Sequence, residues 1–279
     1  MIVPGKMLNG SALNQNKKWM HYLLRPFHWT YCIYAMILFV SIMLLLFPFV
    51  IIASFFGRIK GGNMIYRLCM LWADLWFPLV FIYFKRIFEA PHDKTRSYIF
   101  VSNHISNLDA AVIVKAYRQP LRPLGKVEMS KVPVFGFIYR NAIVTVDRGS
   151  ASNRMKSVRI LKSIISKGIS VLVFPEGTFN MTHQPLKEFY DGAFRVAIET
   201  QTPIKPVLFL DAYDRLKYHH VFTLTPGRCR ILYLKEIPVT GLTTADTAML
   251  KEKVHKVMSE KLKAYRAGWI KPLAPEGEL

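Results

Sequence analysis

From Tyr31 to Phe56 the chain runs 26 residues without one charged side chain or histidine. As a helix rising ~1.5 Å per residue, that run exceeds the ~30 Å hydrocarbon core of a bilayer, with slack for tilt or a kink at Pro48. A cleaved leader is a poor alternative, because the run is too long, starts late and lacks a small-residue cleavage site. A second apolar run, Leu68 to Phe84, follows the turn Gly57-Arg58-Ile59-Lys60-Gly61-Gly62. It carries Asp74 and Pro78 among Tyr66, Trp72, Trp76 and Tyr83, a texture suited to an interfacial or re-entrant segment. Residues 1–86 are therefore expected to form a basic N-terminus and a membrane-embedded helical hairpin. The hairpin would leave the N-terminus and residues 87–279 on the cytoplasmic side, although basic residues flank both runs.

Beyond residue 87 short apolar runs alternate with amphipathic ones. Strands are expected at 97–103, 143–147, 169–175, 204–210 and 229–235, and helices at 107–118, 151–167, 186–200 and 244–266. That alternation predicts an α/β layer fold with a mixed, largely buried sheet flanked by helices. Lys and Arg number 38 against 18 Asp and Glu, a formal charge of +20. So basic a chain favours anionic lipid, phosphorylated substrates, thioester carriers or nucleic acid. Nucleic acid is set aside because no RNP, zinc-finger or helix-turn-helix pattern occurs. The three cysteines are widely spaced, which argues against a disulfide framework or zinc site, and His219-His220 has no Glu or Cys at ligand spacing, so no metal is expected.

Four stretches carry chemistry. In Val101-Ser102-Asn103-His104-Ile105-Ser106-Asn107-Leu108-Asp109, a strand turns into a helix for which Asn107 is a natural N-cap. The turn can bring the Asp109 carboxylate onto the His104 ring, fixing its tautomer and leaving the other nitrogen free to take a proton. With eight histidines in the chain, that spacing alone is weak, and a satisfied buried histidine is the bland reading. In Val171-Leu172-Val173-Phe174-Pro175-Glu176-Gly177-Thr178 a buried strand must turn sharply. Its exposed N–H groups could hold an anion, and Glu176 could pin a neighbouring loop. Val144 to Arg148 is a strand ending in an arginine fork suited to phosphate, or else an Asp147/Arg148 surface pair. Lys126 and Lys131 bracket the apolar tip Val132 to Phe137, and Thr202 to Val207 opens a further strand read as wall.

In this order the blocks resemble the glycerolipid acyltransferases, above all the 1-acylglycerol-3-phosphate acyltransferases. The NHxxxxD motif is complete from Asn103 to Asp109, the FPEGTRS motif stands as Phe174 to Asn180, and Pro203 to Val207 is similar to the family's Pro-rich strand. The resemblance covers roughly residues 85–240. It implies His104 and Asp109 as the catalytic pair, and Asn103, Lys126, Arg148, Glu176, Gly177 and Thr178 as the substrate-binding set. Arg148 with Lys126 would clamp phosphate, and Glu176, Gly177 and Thr178 would shape the acceptor pocket. It implies transfer of an acyl chain from acyl-CoA or acyl-ACP to a lysophospholipid hydroxyl, giving phosphatidic acid from 1-acylglycerol 3-phosphate, with no cofactor.

Two departures stand out: Asn141-Ala142 where a Gly is usual, and Phe179-Asn180 where the family has Arg-Ser. The second removes a cation expected beside the acceptor phosphate. It keeps a different lyso-lipid acceptor, such as a lyso-ornithine lipid, in view, and beyond enzymes a membrane-tethered polyanion binder remains the rival.

Overall fold

The computed structural model describes residues 10–146 and 151–270, with side chains over 25–145 and 157–270. The first helix, α1 (Gly10–Ser54), contains the uncharged run as far as Ser54. A five-residue π turn, Gly57–Gly61, folds the chain back into α2 (Gly62–Leu79). Only glycine fits that corner, since a Cβ on Gly61 would lie 2.3 Å from the Ala53 carbonyl oxygen. Along the hairpin the indoles of Trp72 and Trp76 donate to the Phe39 and Ala35 carbonyls at 3.1 and 2.9 Å. Phe39 packs edge-on to both rings, which satisfies each N–H while burying its apolar body.

The two arms differ. Arg25–Ser54 is the one described helix long and apolar enough to cross a membrane, by length and composition. In α2, Tyr66, Ala73, Trp76 and Phe77 are buried, and Asp74 pairs with Lys115 and Arg118 of α3 (Asp109–Ala116) and the residues just after it. The expected embedded hairpin thus has one arm that passes the length and apolarity test for a span and one arm bonded to the following domain.

The apolar run expected to end at Phe84 instead breaks at Phe81, whose φ is 55°, and becomes strand β1 (Ile82–Phe88). The sheet therefore begins inside the segment assigned to the anchor. Its other strands are β2 (Ile99–Val101), β3 (Leu121–Lys126), β4 (Val144–Val146), β5 (Ser170–Val173), β6 (Ile204–Phe209) and β7 (Gly227–Tyr233). The order across the sheet is β1-β7-β6-β2-β5-β3-β4. Every neighbouring pair is parallel except β6 with β7. β2, β5 and β6 are buried along their whole length, as strands covered on both faces must be. Strand β3 and helix α4 (Phe135–Ala142) went unforeseen. Helices α5 (Ala151–Ile165), α6 (Gly192–Thr200) and α8 (Thr247–Ala264) pack on one another and on β5 and β6, with the four-residue α7 (Ala212–Arg215) beside β7.

Because β2, β3, β4, β5 and β6 run the same way, their carboxyl ends share one edge. The turns after β2 and β5 are immediate neighbours there, ~4.8 Å apart by strand spacing. In open α/β sheets this edge is where ligands bind.

Candidate active site

Val101 ends β2 opposite Val173 of β5, so the two motif turns leave the sheet side by side. In the first, His104 Nδ1 lies 2.8 Å from Asp109 Oδ2. The same oxygen accepts the Ile105 and Ser106 N–H groups at 2.8 and 2.9 Å, which locks the carboxylate in place. Asp109 is fully buried, and its other oxygen has no hydrogen-bond partner among the described residues. With the carboxylate as acceptor, the ring proton belongs on Nδ1, and Nε2 keeps its lone pair. About a quarter of the His104 side chain is exposed. The ring stacks on Phe174 (centroids 4.2 Å, 14° between planes) and touches Phe179 at 4.3 Å. A braced imidazole with one free nitrogen at a strand edge can accept a proton from a bound hydroxyl.

Asn107 does not cap the helix. α3 begins at Asp109, and the Asn107 amide instead donates to the Tyr218 carbonyl at 3.1 Å. The Leu108 N–H is taken by the Ser106 hydroxyl at 3.0 Å, and with the Asp109 carboxylate this serves the turn's donors from within.

In the second turn Gly177 adopts φ 74°, and its N–H returns to the Phe174 carbonyl at 3.1 Å. Glu176 is buried, and each of its oxygens accepts a main-chain N–H, His104 on one side and Lys187 on the other, both at 2.9 Å. The Asn180 N–H adds a bond to the His104 carbonyl at 2.8 Å. Burial pushes the Glu176 carboxyl up to about 7, against the opposing pull of those two N–H donors. Glu176, expected to shape the acceptor pocket or pin a neighbouring loop, joins the two turns through one oxygen and holds the Lys187 main chain with the other. Asn103, also expected to bind substrate, is buried too. Its amide donates to the Phe209 carbonyl at 3.1 Å and accepts the Phe209 N–H at 2.9 Å, fastening the turn to the end of β6.

Thr178 keeps its place at the second turn and accepts from the Lys187 ammonium at 2.7 Å. Lys187 was not anticipated: nine residues from Thr178, it brings a cation to the turn where Phe179 replaces the family's arginine. Lys126 ends β3 on the same sheet edge, with its exposed ammonium 3.6 Å from Glu128. Arg148 lies outside the described residues.

An apolar cavity of about 740 Å³ opens beside Asn107 and Leu108. It runs between α1, α2, α3 and the 132–143 segment, with Phe39, Trp72, Ala111 and Ile138 in its walls. Its volume is in the range of pockets that enclose small organic ligands, and its lining suits a hydrocarbon chain.

Residues 84–210 match the family model described as Acyltransferase. Over 168 residues the chain is 30% identical to 1-acyl-sn-glycerol-3-phosphate acyltransferase alpha of Mus musculus, covering 59% of this chain and 58% of that protein. It thus spans less than two thirds of that relative's length. A probable 1-acyl-sn-glycerol-3-phosphate acyltransferase of Mycoplasma genitalium is 26% identical over 211 residues, 70% of this chain and 75% of that one. The fold is similar to the crystal structure of the 1-acyl-sn-glycerophosphate (LPA) acyltransferase of Thermotoga maritima, with TM-score 0.66 at 22% identity, covering 86% of this chain and 98% of that chain.

Proposed function

We propose, from the match of residues 84–210 to the Acyltransferase family model, that the chain transfers an acyl group from a CoA or acyl-carrier-protein thioester to the free hydroxyl of a lysophospholipid, with 1-acylglycerol 3-phosphate the favoured acceptor and phosphatidic acid the product. The observation that carries this reading is the 2.8 Å contact between His104 Nδ1 and the buried Asp109 carboxylate, beside an apolar cavity. The acceptor hydroxyl gives its proton to His104 Nε2 as its oxygen attacks the thioester carbonyl. The new ester C–O bond forms, the C–S bond breaks, and the proton passes on to the departing thiolate. The nucleophile is the substrate's own alcohol, so neither a covalent acyl-enzyme nor a cofactor enters the scheme. Asp109 stabilises the transient imidazolium. Lys187 and Lys126 at the sheet edge are the cations for the acceptor phosphate, Arg148 is assigned to the same set from its motif alone, and the cavity takes an acyl chain. The mouse and Mycoplasma relatives named for this activity support the choice of acceptor. The apolar Arg25–Ser54 helix supports a membrane location, and the proposal puts the catalytic domain on the cytoplasmic side.

One observation favours a second acceptor class. Phe179 lies 4.3 Å from the His104 ring, where the family places an arginine. A lyso-lipid without a terminal phosphate, such as a lyso-amino-acid lipid, loses nothing from that exchange. Purified protein given one labelled donor and a panel of lyso-acceptors tests both readings. Free thiol should appear only with donor and acceptor together, fastest with 1-acylglycerol 3-phosphate, and Phe179→Arg should raise turnover of phosphate-bearing acceptors alone. Thiol release without an acceptor, or none with any acceptor, would sink the proposal.

A further inference from the structure

Resting on that reading, we infer that the loop spanning residues 215–225 is a second seat of the protein in the bilayer interface, with Phe222 as its lipid contact, and that Asn107 holds the His104 turn against it. The loop is closed at its base, where the Thr225 N–H donates to the Arg215 carbonyl at 2.8 Å and the Thr225 hydroxyl to the Asp214 carbonyl at 2.7 Å. A cross-brace from the Lys217 N–H to the Thr223 hydroxyl, 3.1 Å, stiffens its interior. Its tip nonetheless turns two apolar side chains outward: Val221 and Phe222 are both about half exposed, next to exposed Lys217, His219 and His220. Aromatic and basic residues together at an exposed tip match the chemistry of a headgroup region, where a ring sits among acyl carbons and cations meet phosphates.

The place of that tip fixes the occupant. The Phe222 ring lies 6.4 Å from Trp29, and the Phe222 carbonyl is 3.0 Å from His28 Nε2. Cys32 Sγ reaches the Leu224 carbonyl at 3.7 Å. All three α1 residues sit at the start of the apolar Arg25–Ser54 stretch, where Phe27 and Trp29 are exposed as in an interfacial aromatic belt. The loop tip is thus continuous with the rim of the helix that reaches lipid.

The loop's other side faces the chemistry. The Ser106 hydroxyl donates to the Leu216 carbonyl and the Asn107 amide to the Tyr218 carbonyl, both from within the His104–Asp109 turn. The Tyr218 ring stacks over Phe179 at 6.4 Å, and Phe179 touches His104. Leu216, Val221 and Leu224 share the cavity wall with Cys32 and Leu108. One short loop therefore touches the membrane helix, the cavity and the catalytic turn. Asn107 is a positioning residue here, acting through the turn's backbone.

The test uses the full chain in phosphatidylglycerol/phosphatidylcholine vesicles. Phe222→Ser should lower kcat/KM about tenfold for a lysophospholipid embedded in the vesicles, the share expected for one half-buried ring lost from the interface. Turnover of a short-chain acceptor dissolved as monomers should stay within about twofold, and Phe222→Trp should restore the embedded substrate. The emission added by Phe222→Trp should be quenched by brominated lipid, a readout that needs no turnover. Asn107→Ala should lower kcat on both acceptors with KM unmoved, and Asn107→Gln should recover part of it. Equal losses on both acceptors for Phe222→Ser, absence of quenching, or a rise in KM for Asn107→Ala each overturns the inference. So does quenching replaced by a change in particle mass, which would give the tip to a second copy. If the unsubstituted chain transfers no acyl group, the functional reading fails, and quenching alone decides the lipid seat.

Discussion

Two neighbouring turns carry a buried carboxylate each, and they use it in opposite ways. After β2, Asp109 gives one oxygen to the His104 ring and to two N–H groups of its own loop. After β5, Glu176 gives one oxygen to the His104 main chain and the other to the Lys187 main chain. The first brace reaches the imidazole proposed as the base; the second fixes the loop on which that ring is mounted. Loss of the first should therefore damage the chemistry, and loss of the second should damage the fold before the chemistry.

The largest effect is expected at the ring itself. His104→Ala removes the proton acceptor and should cut acyl transfer by about 10³–10⁴-fold, with the melting temperature little changed because the ring is partly exposed. Asp109→Asn comes next. It keeps the size of the side chain but cannot hold the Nδ1 proton in the same way, so kcat should fall about 10²–10³-fold with KM near its original value. If Glu176→Gln matched either loss at full thermal stability, the division of labour between the two turns would be wrong.

The parts of this arrangement differ in how far sequence pattern reveals them. β2 and β5 are legible because strands covered on both faces read as continuous apolar runs, and β6 shows through its Val207-Leu208-Phe209 end despite Lys205 and Pro206. β3 is not, since it carries Arg122, Pro123 and Gly125. Arg122 is buried because its guanidinium donates to the Arg58 and Ile59 carbonyls of the hairpin turn, a demand set from sixty residues away. β1 hides because its apolar start runs on from α2, with only Val80 and the left-handed Phe81 between them. The helix expected from 186 starts at Gly192 because Lys187 and Tyr190 spend their N–H groups on Glu176 and on the Pro175 carbonyl. At the site, the His104–Asp109 pair shows in sequence because both ends lie in one turn. Lys187 and Tyr218 come to it through tertiary contacts, which leave no local spacing to find.

Asn103 sharpens the comparison from a third side. Asn103→Ala strands a buried donor and acceptor on Phe209, and should cost about 2–3 kcal/mol in an unfolding titration. If its role were to bind substrate, KM would rise while stability held, and that pattern would return Asn103 to the substrate set.

The smallest effect, and the most specific to the second turn, is a pH dependence. Glu176 titrates at about 7 when folded, against an ordinary value of 4.5. Between those values the folded chain keeps a proton that the unfolded chain releases, so stability falls as pH rises. The contribution is whole below about pH 4.5, is lost as pH passes about 7, and is on the order of 3 kcal/mol. Asp74, held low by Lys115 and Arg118 against its desolvation, titrates below its usual 3.8, outside this window. Burial holds His92 below its ordinary 6.5 and works the opposite way in this window, so the test is a difference: between pH 5 and 8 the unsubstituted chain should lose stability relative to Glu176→Gln as pH rises. Asp109→Asn should keep the slope but make it shallower, because the proton belongs to Glu176 while the Asp109 charge adds to the rise that burial causes there. An identical slope in Glu176→Gln would place that proton elsewhere and remove the electrostatic half of the contrast.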